Sequence, residues 1–154
     1  MLKDIVSGTS YSSIFLINAV NLSTKFIFAV SDNTSRSELW QSDGTPGGTV
    51  LFKPFSPITA GSIPIIFLPY NAGFISGPFT QPLFQGNKFF FTAGTSTEGY
   101  ELWVSDGTLG GTNMVKDINP GTGNGIDITK NISYLYTTTA LFFAANDGTN
   151  GNEL

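Results

Sequence analysis

The chain repeats itself. Ser37-Glu38-Leu39-Trp40-Gln41-Ser42-Asp43-Gly44-Thr45-Pro46-Gly47-Gly48-Thr49 recurs 63 residues later as Tyr100-Glu101-Leu102-Trp103-Val104-Ser105-Asp106-Gly107-Thr108-Leu109-Gly110-Gly111-Thr112, identical at ten of thirteen positions. A tandem repeat constrains the fold more than any other feature, because each copy is one structural unit that buries its apolar face on its neighbours. A third copy opens at Asn152-Glu153-Leu154. The likeness reaches upstream: Phe26-Ile27-Phe28, Phe89-Phe90-Phe91 and Leu141-Phe142-Phe143 each begin twelve residues before the glutamate of their copy. It also reaches downstream, where Leu51-Phe52-Lys53-Pro54-Phe55 and Met114-Val115-Lys116-Asp117-Ile118 follow the first two copies. Met1-Leu2-Lys3-Asp4-Ile5 reads as that same segment once more.

The expected division is residues 1–5 as the last strand of a preceding unit, 6–55 as the first unit, 56–118 as the second and 119–154 as a third that stops inside its third strand. The first unit, at about fifty residues, is near the period of propeller blades. The second carries an apolar, proline-rich insertion near residues 56–81.

One unit reads as four strands, placed in the first at residues 14–20, 25–30, 38–42 and 49–55. Turns fall at Asn21-Leu22-Ser23-Thr24 and at residues 43–48, and in the later units at Gln85-Gly86-Asn87 and residues 137–139. With fourteen Phe, five Tyr, two Trp and eighteen Gly, the composition also favours short strands and tight turns over helices. Alternation along the second strand puts Phe26 and Phe28 on one face, Ile27 and Ala29 on the other. Apolar residues on both faces require both faces to be covered. The expected fold is therefore all-β, a partial β-propeller of four-stranded antiparallel blades, with two nearly complete blades and a truncated third. A sandwich leaves one face of each sheet polar.

Composition also removes functions. There is no cysteine and no histidine, which excludes disulfides, thiolate chemistry, the commonest general base and the commonest metal ligand. A net charge of −4 with a single arginine, Arg36, argues against nucleic acid as a partner. The longest apolar stretch, residues 63–70, is interrupted by Pro64 and Pro69 and is too short for a membrane span. Residues 1–4 carry no basic region followed by an apolar one, so no targeting segment is legible there.

The run Glu-Leu-Trp-x-Ser-Asp-Gly-Thr-x-x-Gly-Thr, followed at residues 115–121 by Val-Lys-Asp-Ile-Asn-Pro-Gly, resembles a bacterial tandem-repeat family of "ELWxSDGTxxGTxxVKDI" units (the ELWxxDGT repeat). The stretch Leu141-Phe142-Phe143-Ala144-Ala145-Asn146-Asp147-Gly148-Thr149-Asn150-Gly151-Asn152 is similar to that pattern too. The resemblance covers nearly the whole chain apart from residues 56–80. It implies β-propeller-like repeats of large secreted or surface proteins, hence an extracellular or cell-surface setting in a bacterium. It implies no shared activity. The Ser-Asp-Gly-Thr turn is also similar to the Asp-box of sialidase-type propellers, where the aspartate is structural. The chain departs from the family pattern at Lys53-Pro54-Phe55, where Lys-Asp-Ile is expected.

Each candidate position has two readings. Asp43 and Asp106 open glycine-rich turns and are expected to accept N–H bonds from those turns; the rival is calcium ligation, for which one carboxylate before Gly-Thr is a poor cage. The best calcium candidates are Asp147 and Glu153, in the polar run 146–153 around two glycines, with a solvated turn as the rival. Glu38, Glu101 and Glu153 recur before leucine. A role needed three times suits a bond to neighbouring backbone or to Lys53 or Lys116, not a catalytic acid. Trp40 and Trp103 are read as core between units, against a sugar-stacking role. Phe67, Tyr70, Phe74 and Phe79 in the insertion form either a partner-binding loop or a segment folded back on its own unit as a loop or extra strand.

No catalytic constellation is visible. The expected function is a non-enzymatic binding or scaffold module, with other blades of the parent propeller, a protein or a glycan as partners and no cofactor assigned. The alternative is a piece of a carbohydrate-active propeller whose catalytic residues lie in other blades.

Overall fold

The computed structural model describes Lys3, Ile5 and residues 19–31, 37–55, 65–67, 84–127, 134–137 and 139–154. These residues hold no helix, and every strand pair is antiparallel. The expectation of an all-β chain holds. The first sheet joins β1 (Ala19–Asn21), β2 (Phe26–Ser31), β3 (Ser37–Ser42) and β4 (Val50–Phe55) in chain order. The second joins β5 (Ile65–Phe67), β7 (Lys88–Thr95), β8 (Gly99–Ser105) and β9 (Asn113–Met114), with β6 (Phe84–Gln85) also paired to β7. The third region has two small ladders, β10 (Tyr134–Tyr136) with β11 (Leu141–Phe143) and β12 (Ala145–Asn146) with β13 (Asn152–Glu153). No sheet closes on itself among the described residues.

Equivalent positions pair in the same register. Asn21 faces Phe26, Phe84 faces Phe89 and Tyr136 faces Leu141. Val30 faces Glu38, Ala93 faces Glu101 and Ala145 faces Glu153. Trp40 faces Leu51 as Trp103 faces Met114. Hairpin turns of one length fix these registers. Leu22 N donates to Lys25 O at 2.8 Å, and Thr137 N donates to Ala140 O at 2.8 Å. Gln85 and Lys88 pair across Gly86-Asn87, where Gly86 takes a φ of 62°.

One irregularity was not legible in the sequence. Between Leu39 and Trp40 the pairing with β4 slips, which leaves Phe52 as an extra residue opposite neither. Phe52 and Phe55 are three apart and would point to opposite faces of a regular strand; the bulge lets both reach the same core.

The insertion enters the sheet. Extending the Phe84–Phe89 register would bring residue 82 opposite Phe91, but Phe67 stands there instead, so fifteen residues are spliced into the first-strand position. Residues 65–67 thus supply a strand. Tyr70, Phe74 and Phe79 lie outside the described residues, as do most of residues 1–5 and of the expected strand at 14–20.

The sheets stack face on face. Val20, Ile27, Ala29 and Leu39 of the first sheet share one buried cluster with Phe89, Phe91, Ala93 and Trp103 of the second. The opposite face of the second sheet, Phe90 and Leu102, packs on Tyr134, Leu141 and Phe143 of the third region. The second sheet is therefore covered on both sides, as apolar alternation on both faces requires.

Candidate functional site

The polar residues of the repeat converge on the turn between the third and fourth strands. In the first sheet, Thr45 N and Thr45 Oγ1 donate to Asp43 Oδ1 at 2.9 and 2.7 Å. Gly48 N donates to Thr45 Oγ1 at 2.9 Å. Behind the carboxylate, Thr49 Oγ1 donates to Thr45 O at 2.7 Å, so the 2.7 Å contact between Ser42 and Thr49 must use the serine proton. Ser42 Oγ in turn accepts from Gly44 N at 3.1 Å. Every hydroxyl proton in the turn has one destination.

The second turn repeats these side-chain bonds, while its last threonine N–H shifts, Thr49 N donating to Thr45 O at 3.0 Å but Thr112 N to Leu109 O at 3.3 Å. Thr108 N and Oγ1 donate to Asp106 Oδ1 at 2.8 and 2.7 Å, Gly111 N to Thr108 Oγ1 at 3.0 Å, and Thr112 Oγ1 to Thr108 O at 2.6 Å. Ser105 Oγ and Thr112 Oγ1 lie 2.7 Å apart, and Gly107 N donates to Ser105 Oγ at 3.0 Å. The glycines are required by shape. Gly44 and Gly107 take φ values of 90° and 84°, and a Cβ on Gly48 or Gly111 would fall inside the Asp43 or Asp106 carboxylate. Both aspartates titrate below the ordinary carboxylate range, first because of the threonine hydroxyl and then because of the threonine N–H.

Asp147 closes the third turn with other donors. Thr149 N and Asn150 N donate to its Oδ1 at 2.8 Å each, and Asn150 Nδ2 donates to its Oδ2 at 2.8 Å. These bonds, the backbone ones first, hold its carboxyl below the usual range. Both oxygens of this calcium candidate are thus engaged by the turn itself. Glu153 is exposed on β13 and shares an open groove of about 310 Å³ with Asp147, Phe142 and Leu154. Among the described residues no group of three or more acidic side chains comes together that could hold a metal ion.

Glu101 is fully buried on β8 and accepts from the backbone N–H groups of Gly125 at 2.9 Å, Ile118 at 3.2 Å and Asn119 at 3.4 Å. It ties the connector 118–125 to the second sheet. Ile126 N donates to Tyr100 O and Asn146 N to Gly125 O, at 2.9 Å each, so the same connector holds the third region to the second. Burial pushes the Glu101 carboxyl above the usual range; the three N–H groups oppose this, and neighbouring Asp117 adds to it. Glu38 accepts from Trp40 Nε1 at 2.7 Å.

The tryptophans differ in burial. Trp103 is buried between the first two sheets, edge-on to Phe55 with ring centroids 5.1 Å apart, with Lys53 Nζ 5.3 Å from its ring. Trp40 is half-buried and lies 5.9 Å from Lys3 Nζ. Sequence reasoning missed Lys25, whose Nζ donates to Gln41 Oε1 at 3.0 Å and to Gly107 O of the neighbouring sheet's turn at 2.7 Å. It also missed the serine–threonine pair behind each aspartate. The signal was present in both cases: Lys25 and Lys88, Ser42 and Ser105, and Thr49 and Thr112 stand at matching places of the two copies.

Compared with known proteins, the chain matches no family model, no curated protein and no solved structure.

Proposed function

We propose that the chain is part of a β-propeller repeat array of the ELWxSDGT type, from a secreted or surface protein of a bacterium, and that it works as a non-enzymatic binding or scaffold module. One observation carries this reading: the repeat's polar side chains are consumed by the repeat itself. Asp43 and Asp106 hold their own turns, and Glu101 holds the connector between sheets. Trp103 fills an inter-sheet core. Residues so engaged are framework, and recognition on a framework falls to the segments that vary between its units. The fifteen-residue excursion of the second sheet is such a segment.

A glycan array probed with the whole chain tests the reading. Binding that is lost on deletion of residues 68–82, with melting unchanged and no glycosidic bond cleaved, is the result for a binding module. No binding to any glycan, with melting equally unchanged by the deletion, is the result for a scaffold. Release of sugar from an arrayed glycan would overturn the non-enzymatic reading.

A further inference from the structure

The two stacked interfaces obey one rule. Positions are related by the repeat: Ile27, Phe90 and Phe142 are equivalent, as are Leu39, Leu102 and Leu154. In the first sheet, Ile27 with its cross-strand partner Val20, and Leu39, are all 0% exposed beneath the Phe89, Phe91 and Trp103 face of the next sheet. In the second, Phe90 and Leu102 are 9% and 2% exposed beneath Leu141, Phe143 and Tyr134. Leu141 and Phe143 are the equivalents of Phe89 and Phe91. Each sheet thus sets its leucine face on the aromatic face of its successor.

The leucine face of the third region has no such cover. Leu135 pairs directly with Phe142, as Val20 does with Ile27, yet Leu135 is 62% exposed and Phe142 46%. These two large apolar side chains, at positions whose first-sheet equivalents Val20 and Ile27 are fully buried, form an open patch of the kind that marks an interaction site. We propose that this patch is the docking face for the aromatic face of a further sheet of the same repeat, joined in series. Continuity with the two existing interfaces specifies the occupant: Phe or Leu, then Phe two residues on, in its second strand. A second copy of this chain is not that occupant. Its second and third aromatic faces already lie in interfaces, and in its first sheet Phe28 and Val30 are already buried.

The inference rests on the stacked-array reading but not on ring closure or on ligand binding, so it can fail or hold independently of the glycan result. The absence of cysteine supplies the test. Phe142→Cys places one thiol on the patch, in the chain as it is and in a chain lengthened after Leu154 by a copy of residues 103–154, one 52-residue period as measured from Glu101 to Glu153. The rate of reaction with a thiol reagent should fall at least about tenfold on lengthening. Leu109→Cys, on an exposed turn, should react alike in both chains, and Ala93→Cys, buried in the second sheet, should stay slow in both. Equal reactivity of the Phe142→Cys thiol in the two chains, with the Ala93→Cys thiol still protected, would overturn the proposal. A second measurement needs only the present chain: protection of the Phe142→Cys thiol that grows with protein concentration would make a second copy the occupant and overturn it equally.

Discussion

Asp106 and Glu101 are both repeated carboxylates, and their environments push them in opposite directions. Asp106 is half-buried and stabilised as an anion by Thr108; Glu101 is buried and destabilised as one. Asp106→Asn retains an acceptor for the Thr108 N–H and hydroxyl, whereas Asp106→Ala leaves both without it. Thermal melts should therefore rank wild type, Asn and Ala in falling order. A large calcium-induced rise in melting temperature, lost in both variants, would point to ion binding instead. For Asp43, Asp106 and Asp147, whose carboxyls are lowered, the stabilisation is present above the ordinary aspartate value of about 3.9 and is lost as pH falls through the lowered values. Glu101 has the reverse sign. The folded chain holds its proton more tightly than the unfolded chain, so between the ordinary value of about 4.3 and the raised one, stability falls as pH rises. Denaturant titrations across that window should show this slope in wild type and a flatter profile in Glu101→Gln. An unchanged slope would contradict the assignment. Glu101→Ala removes the acceptor of three backbone N–H groups, and should cost about 1–3 kcal/mol for each one left buried and unpaired.

Among the elements, the strands and their hairpins were legible because the repeat states them two or three times. Copying Phe26-Ile27-Phe28 at a fixed distance before Glu38 placed β2, β7 and β11 and the turns beside them. The β4 bulge was not legible, since it depends on whether Phe52 and Phe55 both find the core, a tertiary fact. Nor were the contacts of the repeated glutamates, Glu101 with the connector and Glu38 with the Trp40 indole N–H, because they depend on what tertiary packing brings to each carboxylate. The tryptophans differ in burial. Trp103→Ala opens a cavity against Phe55 and Phe91 and should cost about 3–5 kcal/mol. Trp40→Ala, at a half-buried site, should cost clearly less, and equal losses in denaturant unfolding would contradict the packing. Deletion of residues 68–82 should join Phe67 to Leu83 in one strand that satisfies both registers on β7. Shortening the chain between the two registers by that many residues lowers the closure cost slightly, so melting should stay level or rise. A collapse in melting temperature would mean that the excursion is part of the core.

For the whole molecule, the central claim is that the repeats form one stack, face upon face, and that the residues repeated between the copies hold it. The two apolar clusters meet on opposite faces of the second sheet, and Lys25 crosses from the first sheet to the turn of the second. Stacking of this kind makes the sheets mutually dependent, so that isolated units have no complete core. The contact that reports it most directly is between Phe55, on the outer strand of the first sheet, and Trp103, on the third strand of the second, with ring centroids 5.1 Å apart. Nuclear Overhauser spectra of the whole chain should show cross-peaks between the ring protons of these two residues. Their absence, in a chain whose β3–β4 and β7–β8 cross-strand peaks are intact, would mean that the sheets form without stacking and would contradict the account.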